Sequence, residues 1–204
     1  LRLSTYSTPR IISCFDITDD YLAMPRGCED AILFFLNENG VKYNIVDETN
    51  HGTPISVSFQ GKEREEQLAA INALLMHSNG VLHATTAFGK TVTAAAIIAR
   101  KKVSTLILVH SKALLAQWHE RLTEFLSIDY VEPPVPKKRG RHKKFSPIGR
   151  LDSTDNSLHG IVDIALIQSC LDGDSVKPFV ENYGMVIVDE CHHVSSITFE
   201  NVMY

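Results

Sequence analysis

A lysine and a threonine at the mouth of a helix, and two adjacent carboxylates a hundred residues on, are the residues best placed to share one chemistry. The first pair closes the stretch Gly80-Val81-Leu82-His83-Ala84-Thr85-Thr86-Ala87-Phe88-Gly89-Lys90-Thr91. An apolar run breaks there into a loop of small residues. Val92 to Arg100, rich in Ala and Ile and free of Gly and Pro, reads as the helix that follows. Loop amides and the positive end of the helix dipole then converge on one spot that suits an anion. Lys90 adds a full positive charge for terminal phosphates, and Thr91 a hydroxyl for Mg²⁺. The strict spacing G-x-x-x-x-G-K-[ST] fails at its first position, where Ala84 stands. From these residues alone, an ordinary strand–turn–helix reads equally well.

The second stretch narrows the choice. Gly184-Met185-Val186-Ile187-Val188 is a continuous apolar run, as expected of a strand buried on both faces of a parallel sheet. It delivers Asp189 and Glu190 to its carboxyl end, where open α/β sheets place their ligands. One carboxylate there can hold the Mg²⁺ of a nucleotide, and a second can take the proton of an attacking water. Taken alone, the stretch is also a strand followed by solvated acids. The order and spacing of the two stretches together favour the phosphate site. Lys90, Asp189 and Glu190 are then the expected catalytic residues, with Thr91 and Asp189 on the metal.

Ala84-x-x-x-x-Gly89-Lys90-Thr91 with Asp189-Glu190-Cys191-His192 resembles motifs I and II of the DEAD/DEAH-like superfamily 2 helicases. Closest are the XPB-type helicases and the motor subunits of type I and type III restriction enzymes. That superfamily accepts Ala at the first loop position and reads D-E-x-H or D-E-x-D at motif II. The resemblance runs from about Phe59 to Tyr204. It departs from the pattern at Ala87, where many relatives carry Gly, and at the bulky Phe88. It implies a P-loop RecA-like parallel sheet, with ATP and Mg²⁺ as cofactors. Thr86, Ala87, Phe88, Gly89, Lys90 and Thr91 would surround the phosphates, and His192 would couple the γ-phosphate to the nucleic-acid side. Arg64-x-x-Gln67 resembles the R-x-x-Q upstream of motif I, whose Gln reads the adenine edge. Ser111 and Lys112 fall at motif Ia, Gln168 and Ser169 at motif Ib, two stations that contact nucleic-acid backbone in relatives. Gln117-Trp118 resembles the Q-W that ends motif Ia, with Trp118 expected in the core.

These residues need elements to hold them. Glu63 to His77 is an expected amphipathic helix with Leu68, Ile71 and Leu75 on one face, and Lys112 to Leu126 another with Leu115, Trp118, Leu122 and Leu126. Strands near 80, 105, 161 and 185 alternate with helices, which predicts a parallel sheet with helices on both faces. Residues 1–60 read as a small α+β domain before it. Strand-like content from Thr8 to Tyr21 and a turn at Pro25-Arg26-Gly27 precede a helix from Glu29 to Leu36, ended by Asn39-Gly40. Val41 to Val46 and Pro54 to Phe59 then read as strands about Asn50-His51-Gly52. The expected division is 1–60 and 61–204, the second truncated after motif II. By resemblance the first is a DNA-contacting extension; a packing scaffold is the alternative.

Composition sets the outer bounds. At 204 residues, 44% hydrophobic and 22% charged, the chain can form a sizeable soluble core. Cys14, Cys28, Cys170 and Cys191 contain no C-x-x-C pair, so neither a zinc site nor a disulfide framework is suggested. Adjacent Cys191, His192 and His193 do not converge easily on one ion. No apolar run approaches the roughly 18–20 residues that span a bilayer, so a cytoplasmic, nucleoid-associated protein without a membrane partner is expected. Lys137, Lys138, Arg139, Arg141, Lys143 and Lys144 are six of 20 basic residues, leaving 14 against 24 acidic ones elsewhere. That run, behind Pro133, Pro134 and Pro136, suits sequence-independent phosphate contact; a solvated charge run and a nuclear-import signal are the alternatives. The function expected is the N-terminal part of an ATP-dependent superfamily 2 helicase or translocase, on DNA rather than RNA. A second RecA-like domain would follow Tyr204, and the piece alone would be nearly inactive. A restriction-type duplex translocase and a non-hydrolysing ATP-dependent DNA-binding module are the alternatives.

Overall fold

The computed structural model describes residues 15–24, 26–85, 87–130, 145–173 and 175–191. The chain divides into two compact units, Leu1–Asp47 and Glu48–Tyr204. In the first, β1 (Asp16–Ile17) and β2 (Leu22–Ala23) pair antiparallel. The Thr18 hydroxyl closes their turn by accepting from the Tyr21 amide at 3.0 Å. Helix α1 (Glu29–Glu38) starts with Glu29 and Asp30, which suit the positive end of its dipole. It stops where the Asn39 side chain donates to the Phe35 carbonyl at 2.7 Å and Gly40 turns left-handed at φ +64°. The strand expected over Val41 to Val46 is not formed. Val41, Ile45 and Val46 stay about half exposed, and alternation without a neighbouring ladder does not make a strand.

The second unit begins with β3 (Ser56–Phe59), α2 (Glu65–Leu75), α3 (Lys90–Lys101), β4 (Thr105–Val109) and α4 (Lys112–Phe125). It continues with β5 (Leu126–Asp129), β6 (Ile148–Leu151), β7 (Val162–Leu166), β8 (Leu171–Asp172), β9 (Ser175–Val176) and β10 (Met185–Val188). Strand β3 pairs antiparallel with β5, so Ser56–Phe59 belongs with the second unit, which begins at Glu48. Strands β10, β4, β7 and β6, in that order, form one parallel sheet. Every residue of β4 and β7 is buried, because both faces are covered. On one face Ile107, Val109, Ile164 and Leu166 pack with Ala95 and Ile98 of α3 and Leu115, Trp118 and Leu122 of α4. On the other, Leu106, Leu108 and Ala165 meet Cys170, Phe179 and Val180 from the 3₁₀ helices Ile167–Cys170 and Pro178–Asn182.

The strand expected near residue 80 is absent: 80–85 carries no ladder, and Val81 is 77% exposed. Among the described residues that run has no neighbouring strand, and apolar content alone does not supply one. Also among the described residues, no helix is long and apolar enough to cross a membrane.

Two polar seams lock the amino ends of the strands. Asp163, fully buried at the start of β7, accepts from the Gly160 amide at 2.6 Å, the His159 amide at 3.1 Å and the Tyr183 hydroxyl at 2.6 Å. Burial, and then the Asp163 charge, push the Tyr183 hydroxyl well above the usual tyrosine range. Ser104 Oγ accepts from the Thr53 amide at 2.9 Å and donates to the Asn182 carbonyl at 3.2 Å. That seam presses 51–54 onto Gly184, where a Cβ would overlap the His51 carbonyl. Further along, the Tyr130 and Phe145 rings meet with centroids 4.8 Å apart, and Phe145 meets His159 at 4.5 Å.

Candidate active site

The loop before α3 is built from left-handed turns. Gly89 caps the helix at φ +87°, and Ala87 stands at φ +68°. An alanine there costs about 1–2 kcal/mol relative to right-handed backbone, which accounts for the glycine preferred at this position in the resembled motif. Helix α2 braces the loop. Gln67, 4% exposed, accepts from the Arg64 amide at 2.9 Å through its oxygen and donates to the Phe88 carbonyl at 2.8 Å. The Arg64 guanidinium donates to the same carbonyl and lies 5.9 Å from the centre of the Phe88 ring. Phe88, a departure from the motif, therefore sits under its own cation. Gln67, expected on an adenine edge, engages one N–H and its oxygen with the protein itself.

At the end of β10, the Asp189 amide continues the ladder by donating to the Leu108 carbonyl at 3.0 Å. One oxygen of the Asp189 carboxylate accepts from the Glu190 amide at 3.0 Å, the other from Trp118 Nε1 at 2.7 Å. Glu190 is left-handed at φ +53°, and its carboxylate stands 3.6 Å from Lys90 Nζ. The two sequence stretches thus meet. Lys90 and Glu190 are 41% and 36% exposed, so the ion pair is weak by itself. Trp118, 3% exposed, is in the core as expected. Its hydrogen bond to Asp189 was not legible, since apolar spacing fixes a face and not where an indole N–H points.

The register Val188 to Leu108, Val109 to Leu166 and Leu151 to Ala165 brings the carboxyl ends of all four strands to one edge. Ser111 caps α4 there, its hydroxyl accepting from the Leu114 amide at 3.3 Å. Gln168, exposed, and Ser169 lie just past β7, and the Ser169 carbonyl accepts from Lys177 at 2.9 Å. Lys112, 55% exposed, stands 3.7 Å from the Asp152 carboxylate beyond β6. Thr86, His192 and the run Lys137, Lys138, Arg139, Arg141, Lys143 and Lys144 lie outside the described residues.

Asp152 supports a pH prediction. Hydrogen bonds from the Thr154 hydroxyl, then the Thr154 and Asp155 amides, with Lys112 behind them, hold its carboxyl down at about 2. The folded value is below the unfolded one, so whatever its charge contributes to stability is complete above pH ~4 and fades as pH falls towards ~2. Carbon-detected NMR titration is expected to place the Asp152 midpoint near 2. Thr154→Val should raise it towards the ordinary carboxylate range, and an unmoved midpoint would show that the hydroxyl is not the cause.

Comparison with known proteins agrees with this geometry. Residues 60–204 match the family of the type III restriction enzyme res subunit. The chain is 32% identical over 154 residues to putative helicase 109L of Invertebrate iridescent virus 3, covering 72% of this chain and 43% of that protein. It is 26% identical over 155 residues to putative helicase 161L of Invertebrate iridescent virus 6, covering 74% and 32%. It is 28% identical over 181 residues to DNA 3'-5' translocase XPB2 of Sulfurisphaera tokodaii, covering 86% and 35%. The chain thus spans less than half the length of each of these relatives. With the parallel sheet in place and residues 60–204 matched, the chain belongs to the type III restriction enzyme res-subunit family.

Proposed function

We propose that the chain binds ATP·Mg²⁺ as the first RecA-like domain of an ATP-dependent DNA helicase or translocase. The approach of Lys90 to Glu190 at 3.6 Å carries this reading, because it joins the helix N-terminus to the strand-end acids. An amine, a hydroxyl, a helix N-terminus and two carboxylates at one strand edge are a donor set that fits a nucleotide with its cation. Loop amides and Lys90 hold the phosphates, while Thr91 and Asp189 would hold Mg²⁺. The ion, when bound, neutralises phosphate charge and orients the terminal group. Lys90 exchanges Glu190 for phosphate oxygens, and Glu190 then orients the attacking water and takes its proton. His192 couples this state to the nucleic-acid side. Arg64 and Gln67 tie the loop to α2, where the base would lie. Ser111, Lys112, Gln168, Ser169 and the basic run from Lys137 to Lys144 hold the backbone of bound DNA. The small unit that precedes the motor is a further candidate for DNA contact.

The alternative within the same class is a restriction-type duplex translocase that moves without separating strands. Strand-displacement and triplex-displacement assays on a chain of the relatives' length separate the two. A non-hydrolysing switch is disfavoured by the placement of Glu190 against the loop lysine. The central test is Glu190→Gln. It should bind ATP within about twofold of wild type and lose about 10²-fold or more of the slow turnover, as loss of a general base does. Equal turnover in both proteins would remove Glu190 from this role.

A further inference from the structure

We propose that Trp118 is a positioning residue of the nucleotide site, holding the Asp189 carboxylate in the orientation that receives the cation. The proposal rests on the function proposed above and deepens it. The indole N–H reaches Asp189 Oδ2 at 2.7 Å, within the range of strong charge-assisted hydrogen bonds. The other oxygen accepts the Glu190 amide, so both Asp189 oxygens are fixed and the side chain has little freedom left to rotate. Trp118 is itself 3% exposed, packed among Leu115, Leu122, Ile107 and the rest of the α3–α4 core. Its ring therefore cannot swing away without opening that core. Each oxygen keeps a second lone pair for a cation or its water.

The geometry has a further consequence for α4. Ser111 begins this helix and Trp118 lies about 10 Å further along its axis. The cap at the strand edge and the carboxylate at the end of β10 are thus joined through one rigid element. A shift of α4 on binding a nucleic-acid backbone would move the Asp189 carboxylate directly.

Trp118 is the sole tryptophan of the 204 residues, so one indole N–H cross-peak in a ¹H–¹⁵N spectrum reports this bond without ambiguity. In the whole chain, that peak is expected to move when Asp189 is replaced by Ala with no nucleotide present. It is expected to move again in wild type on adding Mg²⁺–ADP. Trp118→Phe keeps the ring packing and removes the donor. ADP affinity of this variant in EDTA should stay within about twofold of wild type, while the gain in affinity from Mg²⁺ falls about tenfold or more, as for other outer-shell partners of metal ligands. If wild type gains affinity from Mg²⁺ and Trp118→Phe gains as much, the positioning role is overturned and the nucleotide site stands. If wild type binds no nucleotide, the site itself fails and takes this proposal with it. Should the Phe variant not fold, an indole peak unmoved by Asp189→Ala would overturn the proposal alone.

Discussion

Lys90→Ala is expected to weaken ATP·Mg²⁺ binding about a hundredfold, the loss that follows from removing a charge-assisted phosphate contact of a few kcal/mol. The fold should not change. Lys90 is 41% exposed and its partner Glu190 36%, so the pair it forms adds little to stability. A melting temperature equal to wild type, with the affinity lost, separates a binding role from a structural one. Calorimetric titration of both proteins measures it. Affinity unchanged in Lys90→Ala would refute the assignment of the loop, whatever the family match.

Gly184→Ala is expected to cost a large part of the stability. The new Cβ would overlap the His51 carbonyl and Val103, and the main obstacle is backbone rather than a side chain that can turn aside. Such overpacking reaches about 3 kcal/mol, which for a chain of this size lowers the melting temperature by about 6–12 °C. Gly27→Ala is the control, because nothing lies within 4 Å of its added Cβ. Strand β10 starts one residue after Gly184 and ends at Val188, next to Asp189, so the same substitution should also weaken nucleotide binding. A variant that melts with wild type would mean that 51–54 is not seated on this strand entrance.

The buried strands at 105–109 and 162–166 were legible because a sheet covered on both faces reads as unbroken apolar runs. The run at 185–188 also forms its strand, but at the edge of the sheet, so it is not buried on both faces as expected and Val186 is 38% exposed. The helix stripe of Leu115, Trp118 and Leu122, and the Asn39-Gly40 stop, were legible for equally local reasons. Pairing of Ser56–Phe59 with Leu126–Asp129 was not, since no local pattern names a partner seventy residues away. The same gap made 80–85 and 41–46 read as strands. In the site, residue types announced the loop and the acids, and Lys90 stands 3.6 Å from Glu190. The left-handed turns at Ala87 and Glu190, and the convergence of Arg64 and Gln67 on one Phe88 carbonyl, depend on tertiary contacts that side-chain chemistry does not reveal.

The ring contacts that run from Tyr130 through Phe145 to His159 give one side chain two neighbours. Tyr130 follows the end of β5, Phe145 precedes β6, and His159 precedes β7, so three separate stretches of chain meet at one ring. Removing the Phe145 ring therefore breaks two contacts at once. Its cost should not add simply to the cost of changes at Tyr130 or His159, because the three positions share partners.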